Sequence, residues 1–283
     1  MNKLRDIFTF SDIHGVWDLY KTIMDYCHEQ DPEATIIYCG DACDRGVDGY
    51  RIMKDLLDNP YVVYLKGNHE DLFVQAAREI KRKFDFENIE RDRVRTVLSS
   101  CKNFDYKYIA IQNSLYNGGM STLLDWIMDG MPMDFVDRIE HLPLTFSTDT
   151  CDFCHAAGIY KTFKQAADAE YDGKEVEEYT SNSLLWSRTA FEYGWAPNRT
   201  VIFGHTPIPY LLDDLKVKRD KDNILQPYKY IGIVDSVMTG AKIDMDTGAA
   251  FTGVAYVLNV LTMQAQGFQL KDKQVKKIEM IQY

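Results

Sequence analysis

The sequence lacks any hydrophobic run long enough for a membrane-spanning helix. No stretch of about 18 consecutive apolar residues occurs among its 283 residues. The basic start, MNKLRDIFTFSD, is interrupted by Asp6, so its apolar part falls short of the roughly 7 to 15 residues of a signal-peptide core. From these two absences we expect a cytoplasmic protein with no membrane partner.

Positive charge is also scarce. The chain has 32 lysines and arginines against 43 aspartates and glutamates, a formal net charge of -11. This balance disfavours broad, sequence-independent binding to nucleic acid or to anionic membranes. Local phosphate binding stays open, because metal ions or a few arginines can reverse the field at one site.

The sequence has a single C-x-x-C pattern, in the stretch CDFCH at Cys151–His155. This stretch has the form of a covalent haem attachment site, which belongs to exported proteins. A structural zinc site would need a second such pair. We therefore interpret the six cysteines as reduced thiols of an intracellular chain, with haem and zinc as disfavoured alternatives.

Strand and helix patterns alternate over the first 70 residues. Two helical patterns, WDLYKTIMDYCHE and GYRIMKDLLDN, separate three strand patterns, DIFTFSDIH, ATIIYCGD and YVVYLKGN. This order predicts right-handed crossovers and a mainly parallel sheet, which places the chain in the α/β class.

The pattern changes twice further along the chain. From about residue 72 to 146 it is mostly helical, which predicts an insert or cap within a single domain covering residues 1–283. Strand patterns then return without long helices between them, so we expect an antiparallel second half. They are TFSTDTCDFCHAAG, RTVIFGHTP, YKYIGIVDS and TGVAYVLNVLT.

Carboxylate, imidazole and amide side chains, with one arginine, follow the predicted strands, where functional groups of α/β sheets gather. They are Asp12, His14, Asp41, Asp44, Arg45, Asn68, His69, His155 and His205. Any one of them alone has an ordinary structural interpretation as a turn, a cap or a core residue. Nitrogen and oxygen ligands without thiolates suit manganese, iron, zinc or nickel. Asp41 could bridge two such ions.

Five motifs in a fixed order resemble the calcineurin-like metallophosphoesterases, and among them the phosphoprotein (serine/threonine) phosphatase branch. They are SDIHG (11–15), GDACDRG (40–46), GNHE (67–70), HAAG (155–158) and GHTP (204–207). The stretch IDMDTGAAFTG (243–253) also resembles the late strand motif of the family. Ser11 and Ala156 replace usual glycines, which suggests a bacterial or phage-like member. The resemblance implies a β-sandwich of mixed sheets flanked by helices, with a mostly helical insert.

The resemblance also implies a role for each matching residue. Asp12, His14 and Asp41 would hold one divalent metal ion, and Asp41, Asn68, His155 and His205 a second, with manganese expected ahead of iron, zinc or nickel. A hydroxide between the metals would attack phosphorus. His69 would protonate the leaving alkoxide while Asp44 orients it. Arg45, and Arg188 in the looser stretch LLWSR, would bind the phosphoryl group.

The substrate stays open between several hypotheses. The first is phosphomonoester hydrolysis on a phosphoprotein or a phosphorylated small molecule. The alternative is pyrophosphohydrolysis of diadenosine tetraphosphate, with Trp126 and Phe135 of the insert as candidates to line an adenine pocket. Phosphodiester cleavage is less suited to a histidine acid with two arginines. A non-catalytic metal-binding scaffold is disfavoured because His69 and Asp44 are both present. The oligomeric state is open.

Overall fold

Two mixed β-sheets form the centre of the computed structural model, which describes residues 5–102, 106–157, 183–188, 198–211, 226–234 and 237–283. In chain order the strands are β1 (Ile7–Phe10), β2 (Thr35–Tyr38), β3 (Val62–Tyr64), β4 (Thr145–Ser147), β5 (Cys151–Cys154), β6 (Thr200–Phe203), β7 (Tyr228–Val234), β8 (Val237–Asp244), β9 (Val254–Asn259), β10 (Gln264–Lys271) and β11 (Gln274–Gln282). One sheet has the order β11-β10-β9-β1-β2-β3 and the other β4-β5-β6-β8-β7.

The parallel start of the fold is confirmed. β1 pairs in parallel with β2, and β2 with β3. The crossovers contain α1 (Trp17–Gln30) and α2 (Gly49–Asp58), which are the two helices that the sequence pattern predicts. The carboxyl ends of these three strands therefore lie at one edge of the first sheet.

The prediction of an antiparallel second half is wrong for the centre of the second sheet. β5 pairs in parallel with β6, and β6 with β8. Parallel pairing needs long connections, and residues 155–199 provide one between β5 and β6, while β7 intervenes before β8. Antiparallel pairs are present at β4–β5, β7–β8 and β9–β10–β11.

The chain between β3 and β4 is mostly helical. Its helices are α3 (Asn68–Lys83), α4 (Arg91–Ser100), α5 (Ile109–Tyr116), α6 (Met120–Met128) and α7 (Met133–Glu140), with a short 3-10 helix at Tyr106–Tyr108. A short helix, α8 (Ala249–Thr252), follows β8. Gly130 and Met131 adopt left-handed conformations before Pro132, which separates α6 from α7. The assignment of residues 72–146 as an insert within one domain stays a prediction.

Alternating side chains of the strands build separate apolar layers. Phe8 and Tyr38 face the helices, whereas Ile37 faces the second sheet and packs in one cluster with Phe153 and Ile202. The far side of the second sheet carries a smaller cluster around Val201, Phe203 and Cys154. The order of layers is thus helices, first sheet, second sheet. This is the predicted sandwich of mixed sheets, flanked by helices.

Trp126 and Phe135 do not line a nucleobase pocket. Trp126 is fully buried and Phe135 is nearly so, and both pack edge-on against Phe73 in the helical core. The indole N–H of Trp126 donates to the carbonyl oxygen of Pro132 at 3.2 Å. The expectation that Trp126 and Phe135 line an adenine pocket is therefore wrong, because their apolar surfaces are used in packing.

The single C-x-x-C pair does not form a metal or redox site either. Cys151 and Cys154 are three residues apart on β5, so their side chains leave opposite faces of the strand. They belong to different apolar clusters, and both are free buried thiols.

No helix among the described residues has both the length and the apolar character needed to cross a membrane.

Candidate dinuclear metal centre

The loops after β1 and β2 are joined by backbone hydrogen bonds. The amides of Asp12, His14 and Gly15 donate to the carbonyl oxygens of Gly40, Asp41 and Ala42, at 3.0, 3.1 and 2.8 Å. The strand ladder thus continues past the strand ends as two linked loops. This arrangement fixes the carboxylate and imidazole groups of both loops at the same sheet edge.

Asn68 and His69 occupy a different element from the one predicted. β3 ends at Tyr64, and both residues lie in the first turn of α3 rather than at a strand end. Gly67 precedes them where a Cβ atom would lie 2.2 Å from Oδ1 of Asp41, so no side chain fits there. The amide of His69 donates to that same Oδ1 at 3.0 Å. The helix start is therefore packed directly onto the loop after β2.

One group of ligand atoms surrounds Asn68. Its Oδ1 lies 2.9 Å from Nε2 of His155 and 2.9 Å from Nδ1 of His205. Nε2 of His155 is in turn 3.3 Å from Oδ1 of Asp41. Ligands about 2.1 Å from one metal ion are about 3 to 3.5 Å from each other, so these separations match one coordination shell.

A second group of ligand atoms lies on the other side of Asp41. Nε2 of His14 is 3.5 Å from Oδ2 of Asp41 and 4.0 Å from Oδ1 of Asp12. Asp41 thus presents one oxygen to each group. All six side chains predicted as metal ligands are at most 4% exposed. In each of two sets that share Asp41, the ligand atoms lie within 4.8 Å of one another: one set has His155 and His205, and the other has His14 and His69. Asp12 lies beside the second set through its contact with His14.

The hydrogen bonds of the imidazole rings test whether a cation fits. Nδ1 of His155 donates to the carbonyl oxygen of Cys39, and Nδ1 of His14 to that of Cys43. Each ring therefore turns the lone pair of Nε2 toward the centre. The lone pair on Nε2 of His155 then faces Oδ1 of Asn68, and both atoms are hydrogen-bond acceptors. Two opposed acceptors need a cation between them, so the donor set fits a divalent metal ion.

The charge states of the buried groups agree with this fit. Burial lowers the pKa of His14, His155 and His205, so these rings give up their protons readily and can act as ligands. Burial alone would raise the pKa of Asp41, but the imidazoles of His155, His69 and His14 hold it well below its usual range. Asp41 is therefore an ionised carboxylate in the interior.

His69 and Asp44 form a buried pair next to the ligand groups. Nδ1 of His69 donates to Oδ2 of Asp44 at 2.9 Å, so Nε2 points into the centre. Burial alone would lower the pKa of His69, but Asp41 and Asp44 together raise it above its usual range. Nε2 of His69 is also 3.8 Å from Oδ2 of Asp41, a position from which it could itself bind a metal ion.

The two predicted arginines occupy different sides of the centre. Arg45 is exposed, and its Nη1 and Nη2 atoms lie 2.7 Å from Nε2 of His14 and 3.0 Å from Nε2 of His69. Arg188 is also exposed, and it donates to the carbonyl oxygen of His205 at 3.4 Å. The guanidinium of Arg45 therefore covers the opening of one ligand group, and Arg188 lies beside the other.

Backbone strain is concentrated in these loops. Six of the predicted site residues have a positive φ between 48° and 71°: Asp12, His14, Asp41, Asp44, Arg45 and His205. A left-handed conformation costs a residue other than glycine about 1 kcal/mol or more. The surrounding packing and hydrogen bonds must offset this cost, and such concentration of strain is typical of functional sites.

Glu70 is a site residue that sequence reasoning did not assign, although it is part of the GNHE motif. Its buried carboxylate accepts the amide N–H groups of Asp41, Ala42 and Gly67 at 2.7 to 2.8 Å, and the hydroxyl of Tyr64 at 2.8 Å. Burial, with Asp41 nearby, raises the pKa of Glu70 to about 7. The residue ties the start of α3 to the loop that carries Asp41.

A second unassigned group comes from the start of α6 and holds the turn that carries Arg45. The carbonyl oxygen of Gly118 accepts the amide of Arg45 at 3.1 Å. The hydroxyl of Thr122 accepts the amide of Asp44 at 3.0 Å, and that of Ser121 donates to the carbonyl oxygen of Gly46 at 2.6 Å. The glycines of the stretch NGGMST (117–122) are a signal for a close backbone approach, but nothing in the sequence indicates that the turn at Asp44 is the partner.

Comparison with known proteins places the chain in a family. It matches the model of the calcineurin-like phosphoesterases over residues 6–209, which is well over half of its length. The chain belongs to that family and is a metallophosphoesterase, a class of hydrolases that uses divalent metal ions. No curated protein matches the chain by sequence.

Several solved structures are similar to the chain at low identity. A candidate diadenosine tetraphosphatase is 13% identical, with a TM-score of 0.47 and coverage of 98% of this chain and 94% of that one. A metallophosphoesterase from Sphaerobacter thermophilus is 10% identical, with a TM-score of 0.45 and coverage of 99% of this chain and 88% of that one. A serine/threonine phosphatase from Saccharomyces cerevisiae is 15% identical, with a TM-score of 0.42 and coverage of 99% of this chain and 80% of that one. At these values the similarities do not distinguish between substrates.

We expect Thr122→Val to lower phosphatase turnover by about tenfold while metal content stays unchanged. The valine keeps the shape of the buried side chain but leaves the amide of Asp44 without its hydroxyl acceptor. The turn that orients His69 and Arg45 should then lose precision. Steady-state kinetics on p-nitrophenyl phosphate, with metal analysis of the same samples, would measure both effects.

The matched control is Thr96→Val, because the hydroxyl of Thr96 is exposed and donates only to the carbonyl oxygen of Asp92 within its own helix. Its kinetics should equal those of the wild type. Unchanged turnover in Thr122→Val, with a fold as stable as the wild type, would contradict the role given to this contact.

Proposed function

We propose that the chain is a divalent-metal-dependent phosphomonoesterase that removes phosphate from serine and threonine side chains of proteins. The observation that carries this proposal is the convergence of four sets of side chains on one centre. They are the two cation-binding groups that share Asp41, the His69–Asp44 pair and the guanidinium of Arg45. The order of the SDIHG, GDACDRG and GNHE motifs supports the serine/threonine phosphatase branch.

The proposed cation ligands are the side chains of the two groups. One ion would be held by Asp12, His14 and Asp41, and the other by Asp41, Asn68, His155 and His205. Bound cations would supply Lewis-acid charge and a water molecule of lowered pKa. Mixed imidazole and oxygen ligands accept several transition metals, and we propose manganese as the working ion.

The protein's own groups would then handle the phosphoryl group and the leaving oxygen. Arg45 can offer two parallel N–H donors to a phosphoryl group by turning away from the imidazoles that it now contacts. Arg188 would contact the same group from the side of His205. The raised pKa of His69 favours its protonated form, so Nε2 can donate a proton to the departing alkoxide while Asp44 holds the ring.

A monoester suits this arrangement better than a diester or a dinucleotide. A terminal phosphate carries two negative charges, which match two cations and an exposed arginine, whereas a diester carries only one. The dinucleotide alternative has lost the adenine pocket proposed in the helical region, since Trp126 and Phe135 are core residues. It therefore enters as an outcome of the substrate test.

His69→Asn should slow hydrolysis of a phosphothreonine peptide by about 10² to 10⁴, because the poor alkoxide leaving group loses its proton donor. The loss should be much smaller on p-nitrophenyl phosphate, whose phenolate leaves without protonation. Metal content should remain at the wild-type value. Parallel kinetics on the two substrates and metal analysis would measure this, with the exposed His28→Asn as the matched control.

Loss of a metal ion from His69→Asn would instead make His69 a ligand, as its distance from Asp41 allows. Equal losses on both substrates, with full metal content, would also contradict the role of proton donor.

The substrate class is tested by turnover of the manganese-loaded protein on a phosphothreonine peptide, p-nitrophenyl phosphate and diadenosine tetraphosphate in parallel. We expect the two monoesters to be hydrolysed with kcat/KM values at least tenfold above that of the dinucleotide. Preference for the dinucleotide would replace the proposal with pyrophosphohydrolysis. Inactivity on all three substrates with metal bound would favour a binding scaffold.

A further inference from the structure

Asp246 lies in the loop after β8, directly beside the loop that carries His205. β6 and β8 are parallel, with Phe203 opposite Asp244. The amide of Met245 donates to the carbonyl oxygen of Phe203, and the amide of Ile208 to that of Asp246, both at 2.8 Å. The two loops are therefore joined on both sides of Asp246, at the sheet edge where the metal centre lies.

The side chain of Asp246 is buried and only partly satisfied. It is 1% exposed, and its Oδ1 accepts the amide of Gly248 at 2.8 Å. Its Oδ2 has no hydrogen-bond donor among the described residues. The carboxyl group of Asp246 is a close neighbour of that of Asp12, so without a cation the two can share one proton. A buried carboxyl group with one oxygen that no N–H group reaches thus lies next to a residue of the first ligand group.

Asp12 is held in a fixed orientation in this contact. Both of its carboxylate oxygens accept the amide N–H of His205, at 3.1 and 3.2 Å. A Cβ atom at Gly204 would lie 1.9 Å from Oδ2 of Asp12, so a glycine is required for this approach. Asp12 is consequently pressed onto the loop after β6, with Asp246 next to it.

Two ionised carboxylates in contact within the interior repel each other unless a proton or a cation lies between them. Nε2 of His14, whose lone pair faces the centre, is 4.0 Å from Oδ1 of Asp12. An imidazole ligand is therefore available beside the two carboxylates. Three carboxylates and one imidazole form an oxygen-rich environment of the kind that hard divalent cations prefer.

We propose that Asp246 is a third carboxylate of the first cation site, where it faces Asp12 and increases the affinity for a hard divalent ion such as Mn²⁺. The inference rests on the two cation sites proposed above. It makes the two sites unequal, because the second combines two imidazoles with an amide and a single carboxylate. Manganese should therefore bind more tightly at the first site with Asp246 than without it.

The test is Mn²⁺ titration by calorimetry of chelator-treated wild type, Asp246→Asn and Asp244→Asn, with metal analysis after dialysis. Asparagine keeps the oxygen that accepts the amide of Gly248 and removes only the charge. Asp244 is the matched control, because it is equally buried, also has an unpartnered Oδ2, and accepts the amide of Asp246 through Oδ1.

The wild type and Asp244→Asn should each bind two Mn²⁺ ions. Asp246→Asn should bind one ion with unchanged affinity and the other at least tenfold more weakly. Without metal, its melting temperature should stay close to that of the wild type, because the asparagine oxygen still accepts the amide of Gly248, and added Mn²⁺ should raise it less. A merely structural role would instead lower the metal-free melting temperature and leave the rise caused by Mn²⁺ intact.

Two tight Mn²⁺ sites in Asp246→Asn would overturn the inference and leave the proposed phosphatase function standing. Failure of the wild type to bind Mn²⁺ would overturn the inference together with the two cation sites. If Asp246→Asn does not fold, Asp246→Ser takes its place, since a hydroxyl oxygen can still accept the amide of Gly248, and the same outcomes apply.

Discussion

The carboxylate of Asp41 is the constraint on which the rest of the site depends. It is buried, its two oxygens face the two ligand groups, and the amide of His69 binds Oδ1. Its own amide is held by Glu70. Gly67 has no side chain, which allows α3 to begin against this carboxylate. The first sheet, the start of α3 and the second sheet therefore meet at one acidic side chain whose charge requires partners.

The same constraint explains why the loops are strained and yet well fixed. Left-handed conformations at Asp12, His14 and Asp41 each cost about 1 kcal/mol or more of free energy. Backbone hydrogen bonds between the loops after β1 and β2, together with the carboxylate of Glu70, hold both loops in these conformations. Before any cation binds, the apolar layers of the sandwich hold opposed acceptors and like charges together. Part of the stability of the fold is thus spent on a centre that binding of cations would relieve.

The sequence predicted those parts of the structure that local patterns encode. The three parallel strands and two crossover helices follow from hydrophobic periodicity. Most of the converging residues follow from their places after strands, whereas Asn68 and His69 come from the first turn of α3. The parallel pairing of β5 with β6 was missed because the relative direction of two strands depends on the connection between them and not on the local pattern of either. The contact of Thr122 with the turn at Asp44 joins residues 78 positions apart, which no local signal reports. The burial of Trp126 depends on packing against α3, so its aromatic character alone was misleading.

The central claim is that two cations lie on either side of Asp41. The most direct measurement is anomalous diffraction from crystals of the protein soaked in Mn²⁺, recorded near the manganese absorption edge. The account predicts two peaks about 3.5 to 4 Å apart, one next to His14 and Asp12 and one next to Asn68, His155 and His205. A single peak, or two peaks that do not share Asp41, would contradict it.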